Sequence, residues 1–179
     1  MTPQTILDFW FSDTAKPYWF AKSEAFDRKL SKRFDEILKQ AAAGELYTWR
    51  TSLKGRLAEI IILDQFSRNI YRDTPQAFSQ DAMALALAQE AVAQPGFAQM
   101  PAHERHFILM PYMHSESALI HERSLPLFDA LNNTNTLDFE LRHQAIIRRF
   151  GRYPHRNAIL GRISTDEELA FLQEEGSSF

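Results

Sequence analysis

The chain has 179 residues, of which 45% are hydrophobic and 24% charged, with a net charge of −3 and no cysteine. This composition is typical of a folded domain, and it excludes disulfides, thiol catalysis and thiolate metal ligands. The slight acidity argues against a generally basic surface for nucleic acid. The sequence has neither a signal-peptide pattern nor an apolar run that could span a bilayer, so we expect a soluble, cytoplasmic protein.

The first part of the chain predicts two helices with recognisable starts. Thr2 and Pro3 are a good N-cap and first residue for a helix that ends near Phe11. Ser23 caps a second helix, which has apolar residues along one face and ends at Gly44.

The middle of the chain predicts four more helices. The third begins near Thr51 or Ser52 and ends at about Tyr71, and the fourth extends from Thr74–Pro75 through the alanine-rich stretch 82–93. The fifth begins at Pro101.

Proline marks the fifth and sixth helices. The fifth should kink or break at Pro111, because proline removes a hydrogen bond and clashes with the preceding turn. The sixth covers about 113–131 and has a second expected kink at Pro126.

The last part of the chain predicts a seventh helix from Thr136 to Phe150, ended by Gly151. Thr165 and Glu168 form a capping box for a final helix. No strand pattern interrupts these helices, so we predict an all-α fold of antiparallel helical hairpins. No linker rich in Gly, Ser or Pro appears, which indicates one domain over residues 1–179.

Charge is distributed unevenly near the end of the chain. Residues 141–165 contain six arginines and no acid, whereas residues 166–175 contain five acids and no base. The arginines are Arg142, Arg148, Arg149, Arg152, Arg156 and Arg162.

A carboxylate interrupts the apolar face of the third helix. Asp64 continues the apolar stripe of residues 57–61, and Arg68 follows one turn later. A buried carboxylate must be paired or hydrogen-bonded. One interpretation is an Asp64–Arg68 pair at the edge of the core. The other is a polar pocket lined by Asp64, Gln65, Arg68 and Asn69.

Histidines supply the acid–base candidates. The seventh helix should bury His143 with Phe139 and other apolar residues, as a hydrogen-bonded core residue or as a functional group. His114 and Glu116 follow Pro111 at the expected kink. His114 lacks a second histidine at i+3 or i+4, so we predict no metal site, and no motif indicates a cofactor.

The turn after the seventh helix is a candidate anion site. It contains Arg149, Arg152, His155, Arg156 and Asn157 around a Gly/Pro break. Arginines here can simply complement the helix dipole. They can also join backbone N–H groups near Pro154 to hold a phosphate or carboxylate.

Four stretches together resemble a known family. Ile6–Phe11, Leu63–Asn69, His114–Glu116 and Arg149–Arg162, in this order and spacing, resemble the bacterial family called domain of unknown function 924. The resemblance covers nearly the whole chain. It implies an all-helical fold similar to tetratricopeptide-type hairpins, without the consensus repeat, and it implies no activity. The family usually has proline where this chain has Ser67.

Three functional hypotheses follow. In the first, the 149–157 turn packs beside residues 64–69 and His114–Glu116, forming one pocket that binds a small anionic ligand or acts on it. In the second, the helices are a scaffold that binds a protein or peptide in a groove. The third, RNA binding through arginines and aromatic residues, is disfavoured by the acidic balance.

Overall fold

The computed structural model of the protein describes residues 1–178, which form helices and no β-strand. The predicted all-α class is confirmed, whereas the tetratricopeptide-like arrangement remains a prediction. The helices are α1 (Pro3–Trp10), α2 (Glu24–Ala42), α3 (Leu53–Ile61), α4 (Ser67–Ile70), α5 (Asp81–Val92), α6 (Ala102–Met113), α7 (Ala118–Asp129), α8 (Thr134–Phe150) and α9 (Asp166–Phe171). Within residues 1–178, none of them is long and apolar enough to cross a membrane.

The chain forms two compact units. Unit 1 consists of Met1–Arg72 and Gln76–Pro111, and unit 2 of Asp73–Pro75 and Tyr112–Phe179. The boundary therefore falls within α6, directly after Pro111. The prediction of a single domain stays a prediction.

Four helix starts follow the predicted caps. The side chains of Thr2, Ser23 and Ser52 accept hydrogen bonds from backbone N–H groups at the starts of α1, α2 and α3. At α9 the Thr165 hydroxyl accepts from the Glu168 N–H at 3.2 Å, and the Glu168 carboxylate accepts from the Thr165 N–H at 2.8 Å. These side chains satisfy backbone donors that a helix start would leave without partners.

Three local predictions were wrong. Helix α6 is not broken at Pro111 but continues to Met113, because a proline so close to the end removes only one late hydrogen bond. The other alternative, a kink at Pro111, stays a prediction. Helix α8 is capped by Asn133, whose Oδ1 accepts from the Thr136 N–H at 3.1 Å, and not by Thr136. After Thr74 the chain first forms a short 3₁₀ turn, so α5 begins only at Asp81.

Unit 1 has an aromatic core. Helix α1 packs against α3, α2 against α4, and α3 against α5. Trp10 lies with its ring centroid 5.6 Å from that of Phe66 and 5.5 Å from that of Phe107. Phe34 is 4.9 Å from Phe66, and all four rings are almost fully buried. Large aromatic side chains supply much of the burial energy of such a unit.

Unit 2 is built on the α7–α8 hairpin. Ile146, Ile147, Tyr153 and Phe171 form its buried cluster, with Phe150 partly buried against them. Gly151 ends α8 with φ of 70°, a left-handed conformation that glycine adopts at low cost. The chain therefore turns back after α8 and places Tyr153 in the core.

Candidate functional site

A π-helical turn shapes the polar group of unit 1. The third predicted helix is interrupted by Ile62–Phe66, whose residues, Asp64 and Gln65 included, are all buried. The turn displaces carbonyl groups from regular helical hydrogen bonds, and side chains take up two of them. The Ser67 hydroxyl donates to the Leu63 carbonyl at 2.6 Å, and Arg68 Nη1 donates to the Asp64 carbonyl at 3.0 Å.

Asp64 is fully buried beside an arginine, as predicted. Its Oδ1 lies 3.2 Å from Arg68 Nη1, and its Oδ2 accepts from Gln65 Nε2 at 2.6 Å. Arg68 also forms two hydrogen bonds to Asp81, at 2.8 and 3.0 Å. Sequence reasoning anticipated the Asp64–Arg68 pair but not Asp81, which lies on another helix.

Asn69 belongs to a neighbouring ion-pair group. Its Nδ2 donates to Asp27 Oδ1 at 2.8 Å, and Arg72 donates twice to the same carboxylate, at 2.6 and 3.0 Å. Within unit 1, charge-assisted bonds therefore engage Asn69, Arg68 and their acidic partners. This geometry favours the structural interpretation of the 64–69 segment.

In unit 2, two of the predicted anion-binding arginines fasten α9 instead. Arg149 Nε donates to Glu167 at 2.9 Å, and Arg152 forms bonds of 2.6 and 2.8 Å to Glu168. The hydrogen bonds from Arg152 lower the pKa of Glu168 to about 2. The acidic final helix thus neutralises part of the arginine-rich segment.

Glu116 is also engaged within unit 2. Its carboxylate accepts the Tyr153 N–H at 2.7 Å and two bonds from Arg162, at 2.6 and 2.9 Å. Burial alone would raise the pKa of Glu116, but hydrogen bonds from Arg162 and the Tyr153 amide outweigh it and hold that pKa below its usual value. Asn157 holds the Arg162 side chain in position, because its Oδ1 accepts a hydrogen bond from Arg162 Nε and its Nδ2 donates one to the Ser164 hydroxyl.

Tyr153 is the centre of the remaining polar group. Its fully buried ring lies 5.5 Å from the His155 ring, 5.7 Å from His143 and 6.4 Å from His121, between centroids. The Arg156 guanidinium lies 4.5 Å from the same ring centroid, a cation–π contact. Arg156 Nη2 donates to the His114 carbonyl at 3.0 Å. We call this set the Tyr153 cluster: Tyr153, His114, His121, His143, His155 and Arg156.

His121 is part of a buried hydrogen-bond network. Its Nδ1 lies 2.7 Å from Glu140 Oε1, and its Nε2 lies 2.8 Å from the Ser115 carbonyl and 3.2 Å from the Tyr153 hydroxyl. Ser124 donates to Glu140 at 2.9 Å and not to the histidine, so it is not arranged as an activated nucleophile. Because the Ser115 carbonyl can only accept a hydrogen bond, His121 Nε2 carries a proton.

His143 is held as a neutral imidazole. It is 5% exposed, and burial, followed by the charges of the other three histidines, lowers its pKa to about 3. Its Nδ1 lies 2.7 Å from the Phe139 carbonyl, an acceptor, so the proton sits on Nδ1 and Nε2 carries the lone pair. The predicted inward orientation of His143 is confirmed. Phe139, expected on the same buried face, is 39% exposed.

The predicted site residues thus fall into two units. Asp64, Gln65, Arg68 and Asn69 belong to unit 1, whereas the residues predicted from His114 onward belong to unit 2. That all of them form one pocket stays a prediction. Within unit 2, the contact of the 149–157 turn with residues 114–116 is present, through Arg156 and the Tyr153 amide.

Sequence reasoning missed four members of the unit 2 network, namely His121, Glu140, Tyr153 and Arg162. A signal existed for Glu140, because Glu140, His143 and Gln144 share one face of α8 with Ile147, at spacings of three, four and seven. Three polar residues on a buried face indicate an internal network. Among residues 1–178, no group of three or more His, Asp or Glu side chains is arranged to hold a metal ion.

Comparison with known proteins identifies the family. The sequence model described as "Bacterial protein of unknown function (DUF924)" matches residues 6–176. The chain belongs to this family. A solved structure of a protein of unknown function from Agrobacterium tumefaciens is 35% identical to this DUF924 chain, with a TM-score of 0.90 over 97% of both chains. No curated protein matches.

Ser67 departs from the family pattern that the sequence analysis described. A proline at 67 would have neither the hydroxyl nor the amide donor, whereas Ser67 donates to the Leu63 carbonyl within the π turn. In this DUF924 chain, serine in place of the family's usual proline therefore adds a hydrogen bond inside the turn.

Proposed function

We propose that unit 2 binds a small molecule with a phosphoryl or carboxylate group at the Tyr153 cluster, and that the histidines take up a proton as it binds. The carrying observation is that three imidazoles and one guanidinium lie around a single buried tyrosine, with His143 held neutral and His114 close enough to contribute to lowering its pKa. Arg149 and Arg152 bind acids of α9, Arg162 binds Glu116, and Arg142 binds Asp138. We therefore place the ligand at the cluster that contains Arg156.

Electrostatics supports an anion. Positive charge on His114, His121 and His155 lowers the pKa of His143, so the imidazoles oppose each other's protonation. A bound anion would attract positive charge on these imidazoles and would therefore favour their protonated forms. Binding should therefore strengthen as the pH falls from 8 toward 6, where histidine titrates.

The cluster also assigns roles to its members. His114 and His155 are partly exposed, so solutes can reach them, whereas Arg156 is 6% exposed and orients the group from inside. His143 Nε2 carries the lone pair, and the hydrogen bond from Nδ1 to the Phe139 carbonyl holds the ring in place. Beside a bound anionic substrate, such a nitrogen acts as a proton acceptor, which is the catalytic form of the proposal.

A scaffold function is the alternative. Arg149 and Arg152 hold α9 in place, as a structural clamp would, and Ile163 just before α9 is 90% exposed. An exposed isoleucine beside a fastened helix would suit a protein or peptide partner. One apolar side chain is a small surface, which is why the anion site ranks first.

Imidazole NMR resonances would test the proposal. Sulfate and acetate are titrated into the protein at pH 6.5, and the shifts of all six histidines are followed. We expect saturable shifts at His114, His143 and His155, with weaker binding in His155→Gln and Arg156→Ala.

His103→Gln in unit 1 is the matched control and should bind as the wild type does. Since Arg156 is buried, His155→Gln keeps the test decisive if Arg156→Ala does not fold. Absence of saturable shifts in the wild type, or equal affinity in His155→Gln and His103→Gln, would refute the proposal.

A further inference from the structure

A depression on unit 1 lies apart from the residues discussed so far. It has a volume of about 300 Å³ and is lined by residues of α1, α3 and the first turn of α6. That volume lies at the lower end of the range found for small-molecule sites. The residues that matter are Leu7, Asp8, Phe11, Lys54, His103 and Glu104.

Glu104 gives the depression an unsatisfied acceptor. The residue is 7% exposed, and its Oε1 binds the Lys54 ammonium. Among residues 1–178, no hydrogen-bond donor reaches its buried Oε2. A buried carboxylate oxygen without a donor is costly, so the site favours a group that donates a hydrogen bond.

The rest of the lining combines negative charge with apolar surface. Asp8 is exposed and Lys54 is the one permanent cation of the lining, so with Glu104 the lining has a net charge of −1 when His103 is neutral. Leu7 lines it, and the Phe11 ring stands edge-to-face on His103, with centroids 5.1 Å apart. A ligand that fits these walls has a short apolar body as well as a positive charge.

We propose that this depression binds a small organic cation with N–H donors, a primary alkylammonium or an alkylguanidinium. Glu104 Oε2 accepts its hydrogen bond, Asp8 adds long-range attraction, and Leu7 and Phe11 contact the alkyl chain. The Lys54 side chain is itself an alkylammonium, and it binds the other oxygen of Glu104. A ligand with the same type of group therefore suits this carboxylate.

The ion pair between Lys54 and Glu104 leads to a prediction about the Lys54 side chain. If Lys54 competes with the ligand for Glu104, then Lys54→Met should strengthen binding of an amine by about fivefold, since it removes one positive charge near the ligand. Lys16→Met is the matched control, because Lys16 also belongs to unit 1 and pairs with an exposed acid, Asp13. This control should leave the affinity unchanged.

The experiment titrates the whole protein with n-butylammonium and follows the NMR resonances of Phe11 and His103. n-Butanol, which has the same apolar body without the charge, is the reference probe. We expect saturable shifts with the amine and none with the alcohol. The affinity for the amine should be at least about tenfold lower in Glu104→Gln, and it should fall at high salt. Asp8→Asn, at an exposed position, should weaken binding of the amine by about twofold. This variant keeps the proposal testable if Glu104→Gln does not fold.

Equal shifts with butylammonium and butanol would overturn the proposal, because binding would then be apolar only. Weaker binding in Lys54→Met would overturn it as well, since the lysine would then support the ligand and not compete with it. Both results are independent of the anion titration in unit 2, which uses other residues and probes of the opposite charge.

Discussion

The two units bury polar groups in different ways. In unit 1, the carboxylates of Asp64 and Asp81 are bonded to one guanidinium, that of Arg68, which stays charged at any ordinary pH. In unit 2, Tyr153 is surrounded by imidazoles, whose charge depends on pH. Both groups are buried, but only the second is built on imidazoles, which can exist in a neutral or a charged form.

This difference distinguishes polar groups that stabilise the fold from polar groups that can bind a ligand or transfer a proton. The Arg68 group is bound to its helices by several charge-assisted bonds, so losing one member should destabilise the fold. The Tyr153 cluster contains a neutral His143. Outside that cluster, α8 has two buried atoms without a hydrogen-bond partner within residues 1–178, Glu140 Oε2 and Gln144 Nε2. Polar groups of that kind are typical of sites that bind or transfer something.

The largest expected effect is in unit 1. Asp64→Ala should lower the free energy of unfolding by about 3–5 kcal/mol, because it removes a fully buried member of an ion-pair group. Urea denaturation measures the change. Asp13→Ala, at a carboxylate whose side chain is 97% exposed, should stay within about 0.5 kcal/mol. Equal effects of the two substitutions would contradict the structural role of Asp64.

A smaller effect is expected for the buried acid of unit 2. Glu140→Gln keeps the shape but replaces the acceptor of His121 and Ser124, and should cost about 2 kcal/mol. The same denaturation experiment measures it. A cost larger than that of Asp64→Ala would show that unit 2 depends more on fixed charge than unit 1, and the contrast would fail.

The pH dependence of stability should come partly from His143. Its pKa in the folded protein is about 3, below the usual 6.5, so the unfolded chain binds a proton that the folded one does not. Stability is therefore lost as the pH falls below 6.5, by about 1 kcal/mol between pH 7 and pH 5.5. His143→Phe should remove this part of the slope, and an unchanged slope would contradict a neutral, buried His143.

The smallest effect concerns the start of α9. Thr165→Ala removes one half of the capping box and should cost about 1 kcal/mol. Thr14→Ala, at an exposed loop threonine, is the control. A thermal melt distinguishes the two, and indistinguishable melting temperatures would mean that Arg152 alone fixes α9.

Local rules predicted most of the fold. Caps at Ser23, Ser52 and Thr165 depend on neighbouring residues, and the sequence contains all that such contacts require. The π turn at 62–66 escaped prediction because a helical pattern cannot show one extra residue in a turn. Gln65 is buried as well as Asp64, although adjacent residues of a helix point about 100° apart.

The site was less predictable than the fold. His143 and Arg156 were found because they lie on a buried face or in a charged turn, which are local features. Their neighbours Tyr153 and His121 come from other elements, and no spacing within one helix relates them. The partners of Arg149 and Arg152 are Glu167 and Glu168, and the acid-rich stretch directly after the arginines was a sequence signal for this pairing.

Proton uptake on anion binding tests the central claim most directly. Sulfate, which keeps its charge throughout the neutral range, is titrated calorimetrically at pH 6.5 in two buffers with different ionisation enthalpies. The Tyr153 cluster predicts that sulfate binds with net uptake of up to one proton, and that uptake per bound sulfate falls in His155→Gln, which removes a partly exposed imidazole of the cluster. Binding without proton uptake, or no binding at all, would contradict the account.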